Sequence, residues 1–168
     1  MSIIPYVGVT PTEFNVFPTQ IYTPSMPASN ILELDVPTGL WWRIIYMNCS
    51  FQTSATVSNR AMLVEFIDPK GVTRLQFFAQ VVQPANVNYL YTFGPGLTTF
   101  SNVSVTAGGT TSSALPDILW SQGYQLRLRM TQPQTGDTFG NDGAFAIEVY
   151  SENYETGALT LLPTPLIP

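Results

Sequence analysis

Apolar and polar positions alternate along much of this chain with a period of two, the beat of half-buried β-strands. Tyr124, Leu126, Leu128 and Met130 share one parity, and Gln125, Arg127 and Arg129 take the other. Phe145, Ile147 and Val149 face inward by the same rule and turn Glu148 outward. Residues 31–36, 40–52 and 88–93 carry three further runs of this kind, and residues 115–120 lead into the turn Ser121-Gln122-Gly123. No run of roughly ten residues shows helical periodicity with caps. The pattern predicts an all-β domain: an antiparallel β-sandwich, jelly-roll-like, with about eight strands. If residues 124–130 and 144–150 pair, Glu148 meets Arg127 or Arg129 across the ladder.

Residues 59–82 predict a hairpin, with two runs rich in β-branched and aromatic residues flanking Asp68-Pro69-Lys70-Gly71. Pro69 presets φ at the second turn position, and Gly71 takes a positive φ at the exit. Turn chemistry on its own predicts a type I turn with a bulge, which opposes Phe66 to Arg74. A plain register opposes Glu65 to Arg74 and gathers Met62, Val64 and Phe66 with Thr73, Leu75 and Phe77 on one face. The hydrophobic pattern favours the plain register, because a slip of one residue sends an apolar set into water.

Trp41 and Trp42 are adjacent in a strand, so they point to opposite faces and form no single stacking platform. Residues 98–114 carry no charge and are dominated by Thr, Ser and Gly, with Phe100, Val103 and Val105 as a sparse apolar beat. They read as a long surface loop with room for a short strand, and loops of that length in compact domains usually carry function.

Both ends are proline-rich. Residues 1–28 hold Pro5, Pro11, Pro18, Pro24 and Pro27 but a single charged side chain, Glu13. Proline at that density excludes helix and discourages central strands. Ile3, Ile4, Tyr6, Phe14, Val16, Phe17, Ile21 and Tyr22 nonetheless need a dry partner. Two arrangements stay open: an edge strand on the chain's own sandwich, or an arm laid on a neighbouring subunit. The division predicted is an N-terminal arm (1–28), a sandwich domain (29–155) and an apolar tail (156–168) bearing Leu166 and Ile167. Ile3, Ile4, Tyr6, Phe14, Phe17, Ile21, Tyr22, Leu166 and Ile167 are the candidate protein-contact residues.

Composition narrows the chemistry. Charged residues make up 10% of the 168 positions, against about a quarter in ordinary globular chains. A surface so poor in charge is expected to face other protein. The net charge of −5, with scattered arginines, argues against a nucleic-acid partner, since neutralising phosphates takes clustered Lys and Arg. Arg43 interrupts the most apolar run, so no membrane span is expected. The start, Met1-Ser2-Ile3-Ile4-Pro5, has neither the basic region nor the apolar core of a leader, so synthesis in a cytosol is expected.

Histidine is absent, which removes the commonest general base and the commonest transition-metal ligand together. Cys49 is alone in an apolar run and reads as a buried structural thiol. Residues 136–143, Gly-Asp-Thr-Phe-Gly-Asn-Asp-Gly, hold the ingredients of a weak calcium loop without its ligand spacing, and read better as a turn. No enzyme activity, cofactor or metal is expected.

Four phrases recur in order. Val36-Pro37-Thr38-Gly39-Leu40-Trp41-Trp42-Arg43-Ile44 resembles the V-P-x-G-x-x-W-R-I opening of small virion-associated proteins of tailed bacteriophages. Ser58-Asn59-Arg60, entering an apolar strand and a D-x-x-G hairpin, is similar to their x-N-R phrase. Leu115-Pro116, Gly123 and Leu126-Arg127-Leu128 resemble their L-P…L…G…L-R-L stretch, and Gly136-Asp137 their G-D turn before the last strand. The resemblance covers residues 36–150 and leaves both arms outside. It implies a β-sandwich or jelly-roll that decorates the capsid exterior as a homotrimer (a cement protein). The major capsid protein is its implied partner, and assembly takes place in the host cytoplasm. It carries over no functional residues. A tail, fibre or host-attachment component using residues 98–114 or the tryptophans is the alternative, and a carbohydrate-binding module is a third reading.

Overall fold

The computed structural model describes residues 20–22, 30–104, 106–152 and 159–161. Thirteen strands are defined among them: β1 Gln20–Tyr22, β2 Ile31–Asp35, β3 Leu40–Gln52, β4 Met62–Ile67, β5 Thr73–Phe78, β6 Asn88–Pro95, β7 Phe100–Ser104, β8 Gly108–Leu115, β9 Leu119–Ser121, β10 Gln125–Met130, β11 Thr138–Phe139, β12 Ala144–Glu152 and β13 Leu159–Leu161. The predicted runs at 31–36, 40–52, 88–93, 124–130 and 144–150 all fall on strands. The count exceeds the expected eight because short strands extend the sheet beside the long ones.

Two sheets pack face to face. The larger has the order β1-β12-β3-β6-β8-β7, with β9 and β11 also beside β3 and β13 beside β12; the smaller runs β2-β10-β4-β5. Their inner faces share one buried cluster. Trp42, Met47, Phe51, Tyr91, Phe93, Phe145 and Ile147 enter it from the larger sheet, and Leu32, Leu34, Val64, Phe66, Leu126 and Leu128 from the smaller. Trp120 of β9 stacks on Phe66 of β4, ring centroids 3.9 Å apart, so the layers interdigitate. Trp42 is buried and Trp41 half-buried, the opposition that adjacency demands.

Strand β3 is inward at Trp42 and Ile44 but at Met47, Cys49 and Phe51 further along. The parity changes because Ile147 opposes Ile44 while Ala146 opposes Tyr46, leaving Ile45 as an extra residue. A bulge of this kind lets one long strand keep its apolar side inward along its whole length.

The predicted hairpin forms, but in neither register considered from sequence. Gly71 sits at φ +77°, its N–H donating to the Asp68 carbonyl at 2.9 Å. Ile67 then opposes Thr73, the spacing that turn chemistry favours, whereas Phe66 opposes Leu75 and Val64 opposes Phe77. Arg74 is left over as a second bulge. Its insertion restores the parity of the plain register, so Leu75 and Phe77 still pack on the core. Glu65 consequently opposes Gln76 instead of Arg74.

Residues 98–114 are not a long loop: they fold as the β7–β8 hairpin, antiparallel from Phe100 opposite Ser112 to Ser104 opposite Gly108. The small polar residues that suggest a loop are what allow the close approach. A Cβ on Gly109 would lie 2.2 Å from the Asn102 carbonyl oxygen. Because β7 occupies the sheet edge, β8 returns beside β6 in the same direction, the one parallel pairing among the described residues. A second correction concerns Glu148. Strands β10 and β12 lie in different sheets, so Glu148 opposes Arg43 instead of Arg127 or Arg129.

Candidate functional site

All five arginines are tied to carboxylates of the same chain. Arg60 is the most enclosed, with 0% of its surface exposed. Its Nε donates to Asp137 Oδ2 at 2.6 Å, and its Nη2 donates to the Thr56 carbonyl at 2.7 Å and the Ser54 hydroxyl at 3.2 Å. Asp137 also accepts the N–H groups of Ser54 at 2.8 Å and Gln134 at 2.7 Å. Burial on its own would raise the Asp137 pKa, but the Arg60 hydrogen bond and these two amides hold it below the ordinary carboxylate value. Ser58-Asn59-Arg60 and Gly136-Asp137, far apart in sequence, therefore meet in one lock that closes an end of the sandwich. A carboxylate so engaged is a poor calcium ligand, and Asp142 is hydrogen-bonded to Ser50.

A second buried polar group lies beside this lock. Gln83 Nε2 donates to the carbonyls of Phe51 at 2.6 Å and Val87 at 2.9 Å, and its Oε1 accepts the Tyr91 hydroxyl at 2.8 Å. The Thr53 hydroxyl donates to the Pro84 carbonyl at 2.6 Å. Each polar atom has a partner, as burial requires. Burial pushes the Tyr91 hydroxyl and the Cys49 thiol well above their ordinary ionisation, so neither is poised as a base or nucleophile.

The other four arginines pair with carboxylates on the two sheets and at the hairpin. On the smaller sheet Arg127 Nε donates to Glu33 at 2.7 Å, while Arg129 Nε and Gln76 Nε2 both reach Glu65 at 2.9 Å. The Arg129 hydrogen bond is the main reason that Glu65 sits below its ordinary value. On the larger sheet Arg43 bridges Asp117 at 2.6 Å and Glu148 at 3.1 Å. At the hairpin Arg74 Nε donates to Asp68 at 2.7 Å. Among the described residues no three Asp, Glu or Cys side chains gather as a metal site.

A concave feature with room for a ligand is a cleft of about 390 Å³ where the edge of the smaller sheet meets the β7–β8 hairpin. Gln76, Phe77, Phe78 and Gln80 line one side, and Thr99 and Ser113 the other. Sequence reading marked residues 98–114 but missed the cleft, whose two walls come from different sheets.

Of the candidate contact residues, Ile21 and Tyr22 lie on β1, whose backbone pairs antiparallel with β12 of the same chain, Ile21 opposite Ala146 and Tyr22 opposite Phe145. That stretch takes the edge-strand arrangement. Ile3, Ile4, Tyr6, Phe14, Phe17, Leu166 and Ile167 lie outside the described residues. No family model, curated protein or solved structure matches the chain.

Proposed function

We propose that this protein is a structural component of a virus particle, a bacteriophage capsid-decoration (cement) protein that binds the outer shell as a homotrimer. The observation that carries the reading is the disposition of charge. The five arginines are all engaged by carboxylates of their own chain, and residues 98–114, which carry no charge, form an edge hairpin. Apart from a few exposed charges such as Lys70 and Asp142, this leaves hydroxyl, amide and apolar surface for contact, the composition of protein–protein interfaces, whose centres are depleted in charge. The four phrases across residues 36–150 support the same reading, and the residues they share hold turns and ion pairs together.

Edge strands β5 and β7 contain no lysine, a residue that monomeric sheets use to guard their edges. Cyclic association would cover them. The test is co-sedimentation of the purified protein with undecorated heads, together with its copy number in the particle. The expected result is saturable binding at a copy number comparable to that of the shell protein. A handful of copies per particle, or no binding to heads, would overturn the reading.

A further inference from the structure

We infer that the cleft between β5 and the β7–β8 hairpin is a binding site for a short neutral glycan. The inference stands apart from the shell assignment and rests on the cleft's own chemistry.

At about 390 Å³ the cleft falls within the range of small-ligand sites. Its lining is uncharged. Gln76 directs its Nε2 to Glu65, which leaves Oε1 as an acceptor, and Gln80 and Thr99 are exposed. Phe78 is 51% exposed, an aromatic side chain of the kind on which the C–H side of a pyranose stacks. A saccharide offers this combination: hydroxyls that both donate and accept, beside apolar ring faces.

Ser113 closes the inner wall of the cleft: the residue is 5% exposed and lines the space, but its hydroxyl lies beneath the surface, without a hydrogen-bond partner among the described residues, so it belongs to the sandwich and not to the ligand. A charged ligand is disfavoured, because nothing in the lining compensates its charge and Arg74 is engaged by Asp68. A peptide added as a strand to β5 is also disfavoured, because the Arg74 bulge breaks the regular ladder that strand addition needs.

The test is amide NMR of the full chain titrated with maltotriose, cellotriose and tri-N-acetylchitotriose, with sialyllactose as the charged control. At least one neutral trisaccharide should shift the amides of Gln76, Phe78, Gln80, Thr99 and Ser113 at millimolar concentration. Phe78→Ala should weaken it by about tenfold, and Val57→Ala, at an exposed apolar position elsewhere, should not. Three results would each overturn the inference: no shift of these amides up to about 10 mM, weaker than any useful affinity scale; binding indifferent to Phe78→Ala; or equal response to sialyllactose.

Discussion

Arg60 carries a full positive charge with no exposed surface, and it is tolerable there because Asp137, the Thr56 carbonyl and the Ser54 hydroxyl meet it. Removing one member leaves the other as an uncompensated buried charge. Arg60→Met is therefore expected to destabilise the fold by about 3–5 kcal/mol, read from urea unfolding. A loss below about 1 kcal/mol would show that the pair has the weight of an ordinary exposed bridge. The pH dependence has a definite sign. Asp137, Glu65, Asp68 and Asp117 sit below their ordinary values, so the unfolded chain takes up protons first as pH falls. Stability should be level from neutrality to about pH 5 and should fall through the ordinary carboxylate range, near pH 4. In Arg60→Met Asp137 loses the strongest of the contacts that lower its pKa, so that pKa rises relative to the parent. The gap between variant and parent should then narrow in acid, measurable by calorimetry across pH. None of this was legible in advance: Ser58-Asn59-Arg60 and Gly136-Asp137 are both visible as phrases, but nothing in their spacing says that they touch.

At the scale of elements the hairpin shows how two local preferences are reconciled. Turn chemistry asks for one register near Gly71, and hydrophobic parity asks for another along the arms. One additional residue, Arg74, satisfies both, and its guanidinium returns to Asp68. Deleting Arg74 should force a choice between the turn and the core. The expected outcome is a loosened smaller sheet, with weaker near-ultraviolet circular dichroism and dye binding to exposed apolar surface. A deletion variant with the parent's spectrum and melting temperature would show that the bulge is incidental. Gly71→Ala, placing a side chain at φ +77°, should cost about 1 kcal/mol, measurable in the same unfolding experiment. The hairpin's existence was readable because Asp-Pro-Lys-Gly is a strong turn signal. The second bulge was not, because it answers to a core assembled from distant strands.

For the whole molecule the proposal turns on association and reach. Sedimentation velocity at micromolar concentration should show a trimer, and a stable monomer would count against it. Strand β1 belongs to the sandwich, so residues preceding it are the ones to remove. An arm of about 19 residues spans up to roughly 65 Å when extended. Contacts made only on the intact shell would stabilise that shell in proportion to their free energy. Deleting residues 2–19 should leave the circular dichroism spectrum unchanged and weaken co-sedimentation with undecorated heads. A truncated protein that binds as tightly as the full chain would sink the arm mechanism.

The positions of the long alternating strands and the inward faces of β10 and β12 were determined by the sequence alone. The alternation at residues 124–130 and 144–150 is a local property, since successive side chains of an extended backbone must point to opposite sides. Alternation does not name a partner, however. Glu148 could satisfy any arginine on a neighbouring strand, and only the assembled sheets place β12 beside Arg43 and β10 beside Glu33 and Glu65. The same holds for the parallel pairing of β6 with β8, the Arg60–Asp137 lock and the cleft over β5. Each joins segments distant along the chain, and which of them meet is decided by the burial of the whole core, a quantity that no local window contains.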